Sequence, residues 1–99
     1  MRPSCLDCAR KHLMKAEINL TESKLGYPNH YWRGLGHISE AEDETVRDYP
    51  KLAEQFRNER KLLEEDPDYH IPLMDLVEMV TKVAEAEYAD VEEEVDDQV

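Results

Sequence analysis

Apolar side chains recur at alternating steps of three and four along most of this chain, and that spacing restricts it to helices. Leu6, Ala9, Leu13, Ala16 and Leu20 form the clearest series. Only a helix of about 3.6 residues per turn brings such positions onto one stripe. Tyr31, Leu35, Ile38, Ala41 and Thr45 form a second series, and Leu52, Phe56 and Leu63 a third. Leu73, Leu76, Val77, Val80, Val83 and Ala84 form a fourth. Strand-forming residues are scarce and Ala, Glu, Leu and Lys abundant. The expected fold is all-α: a small bundle of three to four helices, arranged as two helical hairpins, with an acidic C-terminal tail.

Turn residues divide the series. Ser4 is placed to cap a first helix over about 5–25, with Asp7 three positions later and Gly26 as its stop. Gly26-Tyr27-Pro28-Asn29 is a turn. A second helix is expected from Asn29 or His30 to Arg47, its first half weakened by Gly34 and Gly36. Asp48 can cap a third helix, which begins at Pro50 and ends near Glu65. Asp66-Pro67-Asp68 is a further turn, and the fourth helix starts near Pro72. These 99 residues make one domain, expected over 1–91, with a frayed acidic tail over 92–99.

Charge narrows the function classes. Twenty-four acidic residues against 12 basic ones give a net charge of −12, which opposes binding to nucleic acid or to anionic membranes. No stretch approaches the roughly 18–20 apolar residues of a membrane span, and Met1-Arg2-Pro3-Ser4 opens no signal-peptide core. Two cysteines three apart do not make a disulfide framework. A cytoplasmic setting, where thiols stay reduced and can ligate metal, is the expected one. Met14, Ile18 and Leu25 form a second apolar line on the far side of the first helix. That line predicts contact with a protein partner or a second copy of the chain.

The chemistry-bearing motif is Cys5-x-x-Cys8-x-x-x-His12, which holds both cysteines. On a helix its three side chains fall within about 60° of arc. Thiolate and imidazole are the preferred structural ligands of zinc, and a helix N-terminus favours thiolate. Three ligands leave one position open. His37-x-x-Glu40-x-x-x-Glu44 repeats the spacing and offers candidates. Ligand chemistry favours His37, giving the set Cys5, Cys8, His12 and His37 with zinc as cofactor. Level favours Glu44. In a plain hairpin about 26–29, His12 lies about 20 Å before the turn and His37 about 12 Å after it, a gap near 8 Å. Alternatives are buried cysteines with a carboxylate-bonded histidine, a redox dithiol, and a carboxylate metal site of Glu17, His37, Glu40 and Glu44. The run Glu40-Ala41-Glu42-Asp43-Glu44 otherwise reads as a solvated face. Tyr31 and Trp32 read as the plug of one core end, and His70 as ordinary surface.

Cys5-x-x-Cys8-x-x-Lys11-His12-Leu13, Gly26-Tyr27-Pro28-x-His30 and Gly36-His37-Ile38-x-Glu40-Ala41-Glu42-x-Glu44 together resemble short uncharacterised proteins of tailed bacteriophages and related viruses. The resemblance covers about residues 5–60. It implies a viral accessory or virion component, in which Cys5, Cys8, His12, His30 and His37 act together. The residues carry no phosphate loop and no Ser/His/Asp pattern. The expected function is a small zinc-stapled protein acting through protein contacts. The alternative is a metal-dependent or thiol-redox enzyme using Cys5, Cys8 and His12.

Overall fold

The computed structural model describes residues 3–96 of the chain. Among them the chain forms four helices and no strand: α1 (Leu6–Lys24), α2 (Asn29–Thr45), α3 (Pro50–Glu65) and α4 (Leu73–Asp96). The helices run alternately up and down. The N–H of Cys5 donates to the carbonyl of Glu44 at 2.9 Å, so α1 begins where α2 ends. Tyr31, at the start of α2, donates its hydroxyl to the carbonyl of Leu63 near the end of α3 at 2.9 Å. Tyr49, just before α3, is hydrogen-bonded to Glu87 of α4.

The all-α expectation holds, but the second hairpin is loose. α1 lies along both α2 and α4, and α2 along α3, while α3 and α4 touch only narrowly. The connection from Asp66 to Pro72 carries buried Ile71, which anchors the chain as it turns toward α1. The four predicted stripes form the core, with Leu13, Ile38, Phe56, Leu63, Leu73 and Val80 under 2–3 % exposed. Tyr31 and Val83 are partly buried against it.

Small residues let α1 and α2 approach closely. Ala9, Ala16, Gly34 and Ala41 are all buried in this region. An ideal Cβ on Gly34 would stand 2.8 Å from both Cγ and Cδ2 of Leu20 and 3.6 Å from the carbonyl oxygen of Ala16. Gly36, one turn-fraction away, faces open space.

The turn between them is a Schellman motif. Tyr27 N–H donates to the Glu22 carbonyl at 3.2 Å and Gly26 N–H to the Ser23 carbonyl at 3.3 Å. Gly26 has φ 113°, which side chains disfavour, so glycine suits the position. The chain therefore reverses at Leu25 and runs back beside the last turn of α1 before α2 begins.

Several local expectations are corrected. Cys5, not Ser4, is the N-cap of α1, and its sulfur accepts the N–H of Cys8. Ser4 instead exchanges hydrogen bonds with Asp48: its N–H donates to Asp48 Oδ2, and its Oγ accepts from Asp48 N–H, both at 3.0 Å. Asp48 is thus drawn away from α3, whose N-cap is Tyr49 without a side-chain bond. Trp32 is 68 % exposed and plugs nothing, because it lies one step of about 100° off the α2 stripe at Tyr31. The acidic run is a solvated face only in part: Glu40 and Asp43 are exposed. Glu42 bonds Arg57 and Arg60 of α3, and Glu44 is buried. α4 is helical through Asp96, and residues 97–99 of the expected tail lie outside the described ones. No helix among the described residues is long and apolar enough to cross a membrane.

The two glycines of α2 should respond oppositely to the same change. Gly36→Ala is expected to stabilise by about 0.5–1 kcal/mol through helix propensity. Gly34→Ala is expected to destabilise by about 1 kcal/mol, since crowding of Leu20 outweighs that gain. In a Leu20→Ala background the Gly34→Ala penalty should vanish. Urea midpoints of the four variants measure this, and a penalty that persists without Leu20 would refute the contact.

Candidate metal and thiol centre

The candidate residues lie along the α1–α2 seam, at the end where α1 starts. Cys5 is in extended backbone before α1, and Cys8 lies in its first turn. The two are joined in a disulfide with Cα atoms 5.2 Å apart, within the range such a bond requires. Neither of the described cysteines is a free thiol in this arrangement. Their pairing follows from the cap. The extended backbone at Cys5 turns its sulfur over the first turn, where the Cys8 N–H donates to it at 3.1 Å.

Glu44 comes to the sulfurs from α2. One ligand atom each from Cys5, Cys8 and Glu44 lies within 4.8 Å of the others, and Glu44 is buried while both cysteines are half-buried. The Cys5 N–H to Glu44 carbonyl bond fixes this level.

His12 and His37 meet further along the same seam. Their Nδ1 atoms are 3.1 Å apart, and the rings stack with centroids 5.3 Å apart and planes inclined by 30°. One nitrogen must donate and the other accept, so the contact requires at least one neutral, suitably oriented ring. Burial holds His37 below its ordinary value of 6.5; nearby His12 and Lys15 add to the effect, and Glu40 opposes it.

The structure thus removes the 8 Å gap expected between His12 and His37. The expected gap came from centring the hairpin on the middle of the turn. The Schellman motif puts the reversal at Leu25. His12 lies 13 residues before Leu25 and His37 12 after it; Cys5 lies 20 before and Glu44 19 after. Both pairs are therefore level. Glu44 belongs with the sulfurs, not with His12. The signal that identifies the register is Gly26 as the residue after a helix C-cap.

The four predicted ligands divide into two neighbouring pairs, Cys5 with Cys8 and His12 with His37. Cys8 and His12 are one turn apart on α1, about 6 Å along the axis. Among the described residues, the group within ligand distance of one another is Cys5, Cys8 and Glu44, and the two histidines lie outside it. His30 stands apart from both pairs. Its Nδ1 lies 2.9 Å from Glu22 Oε2 beside the turn, and its ring tilts against Tyr27. Glu17 also lies away, lining a shallow cavity of about 80 Å³ with Tyr31, Tyr69 and His70.

Asp7 flanks the centre. Its carboxyl is held below the ordinary value by Lys11, 3.1 Å away, and by Arg10, 2.9 Å away.

No protein-family model, curated protein or solved structure matches this chain.

The lowered His37 value makes a stability prediction for the metal-free, oxidised protein. Below pH 6.5 the unfolded chain protonates this histidine to a greater extent than the folded one does. The unfolded state then binds more protons, so stability falls as the pH drops through that window. His37→Gln should flatten the fall. Urea midpoints between about pH 7.5 and about pH 5.5 compare the two proteins; identical slopes would refute the lowered value of half-buried His37.

Proposed function

We propose that this protein is a small helical adaptor, stapled by one zinc ion across α1 and α2, that acts by contact with other proteins. The ligands are Cys5, Cys8, His12 and His37, with the cysteines reduced. The observation that carries the reading is the 3.1 Å separation of His12 Nδ1 and His37 Nδ1. Two nitrogens bound at about 2.0–2.1 Å to one ion stand roughly 2.9–3.4 Å apart at tetrahedral to right-angled geometry. Two helices already present imidazoles at that spacing. Opening the disulfide allows the sulfurs to part toward the roughly 3.8 Å of a tetrahedral dithiolate, which releases Cys8 toward His12.

A staple has physical value here. A chain of 99 residues buries a modest core. Tying the start of α1 to α2 holds an end where the other fastenings are polar. The contact surface is the outer line of α1, where Met14, Ile18 and Leu25 are 48, 57 and 75 % exposed. Exposed Tyr27 and Trp32 add aromatic area near the turn. A reducing cytoplasm suits thiolate ligands. A role as a viral accessory or virion component accords with the resemblance of residues 5–60 to phage proteins.

The bonded cysteines favour a second reading, a thiol–disulfide protein using Cys5 and Cys8. Rapid reaction of the reduced, folded protein with an alkylating reagent would support it, and inert thiols would count against it.

Protein purified under reductant without added metal should carry roughly one zinc per chain, and chelator should lower its melting temperature. His37→Ala should lose the zinc, while Glu44→Gln keeps it. Zinc below about 0.2 per chain, with no effect of chelator, would sink the reading. Loss in Glu44→Gln with retention in His37→Ala would move the ligand set to the sulfurs and Glu44.

A further inference from the structure

We infer that the zinc site is gated by oxidation: a hydroperoxide converts the Cys5 and Cys8 ligands to the disulfide and expels the metal. The inference rests on the zinc reading above and specifies how that site is regulated.

The same two sulfurs are required by both states. As thiolates they supply two anionic donors. As a disulfide they are neutral and poor donors, so bonding and ligation exclude each other. The backbone need not choose between them. The Cα separation of 5.2 Å suits a disulfide, and the same Cys-x-x-Cys spacing at a helix start suits chelation. Switching needs side-chain rotation at the cap of α1, not a change of fold.

The rest of the seam also has a metal-free arrangement. With the sulfurs bonded, His12 and His37 satisfy each other through the Nδ1 contact. Cys5 Sγ accepts the Cys8 N–H. These contacts describe a closed, oxidised form that leaves the ligand groups with partners.

The oxidation balances. One thiolate attacks a peroxide oxygen; the O–O bond breaks, a sulfenic acid forms and hydroxide leaves. The second thiolate attacks that sulfur; the S–O bond breaks, the S–S bond forms and a second hydroxide leaves. For hydrogen peroxide, two thiolates, one peroxide and two protons give one disulfide and two waters. Zinc departs as the divalent ion.

The two states constrain the molecule differently. The disulfide closes a loop within the first turn of α1 and ties nothing to α2. Zinc bound through His37 crosses the seam. Oxidation therefore removes a link between helices while leaving the core intact.

The experiment has two stages on the full chain. First, reduced protein freed of reductant is titrated with zinc. Failure to bind at this stage defeats the zinc reading itself. Second, the loaded protein receives stoichiometric hydrogen peroxide beside a colorimetric zinc chelator. Intact mass and helical circular dichroism are followed together. The expected result is one zinc released per disulfide formed, with helicity kept and zinc binding restored by reductant. Affinity should fall more than about 100-fold, beyond the 10–100-fold effect of losing an outer partner. Three results would overturn the gating. Zinc retained after the disulfide forms would show that the thiols are not needed. Release with added oxygen but no disulfide would show simple damage. Release only with loss of helicity would show unfolding.

Discussion

The close seam between α1 and α2 governs the rest of this molecule. Alanines and Gly34 allow the two backbones to approach until Leu20 and the carbonyl of Ala16 pack against the glycine. That approach fixes the relative height of the helices, together with the reversal at Leu25. Every polar pairing along the seam follows from the height: Cys5 beside Glu44, and His12 beside His37. A shift of one turn would separate both.

The core and the polar end contribute in different ways. Leu13, Ile38, Phe56, Leu63 and Val80 supply non-directional burial, which tolerates modest rearrangement. The end where α1 starts is held by directional contacts instead. Cys5 N–H reaches Glu44, and Ser4 and Asp48 exchange two bonds. Glu42 spans to Arg57 and Arg60. Such contacts set register more than total stability. This is the end that presents the cysteines and the buried carboxylate, so a chemical change there can be felt locally without opening the core.

The acidic character is also redistributed by folding. The run 40–44 divides by helical phase. Glu42 faces the arginines of α3, Glu44 turns inward and Asp43 stays exposed. Trp32 shows the opposite outcome, since an aromatic beside a core tyrosine ends up 68 % exposed. Residue type favoured burial, and the 100° step from Tyr31 decided against it.

Much of this was legible in the chain. The 3–4 spacing determined four helices, their inward residues and the boundaries of α3, because helical periodicity is a local property. The shared face of Cys8 and His12 on α1 followed from the same periodicity, whereas Cys5 lies in extended backbone before the helix. Pairing across helices did not, because it depends on where the chain reverses and how closely two backbones meet. The Schellman turn and Gly34 against Leu20 moved His37 level with His12 and gave Glu44 to the sulfurs. The sequence determined which side chains face the seam; only packing decided which of them touch.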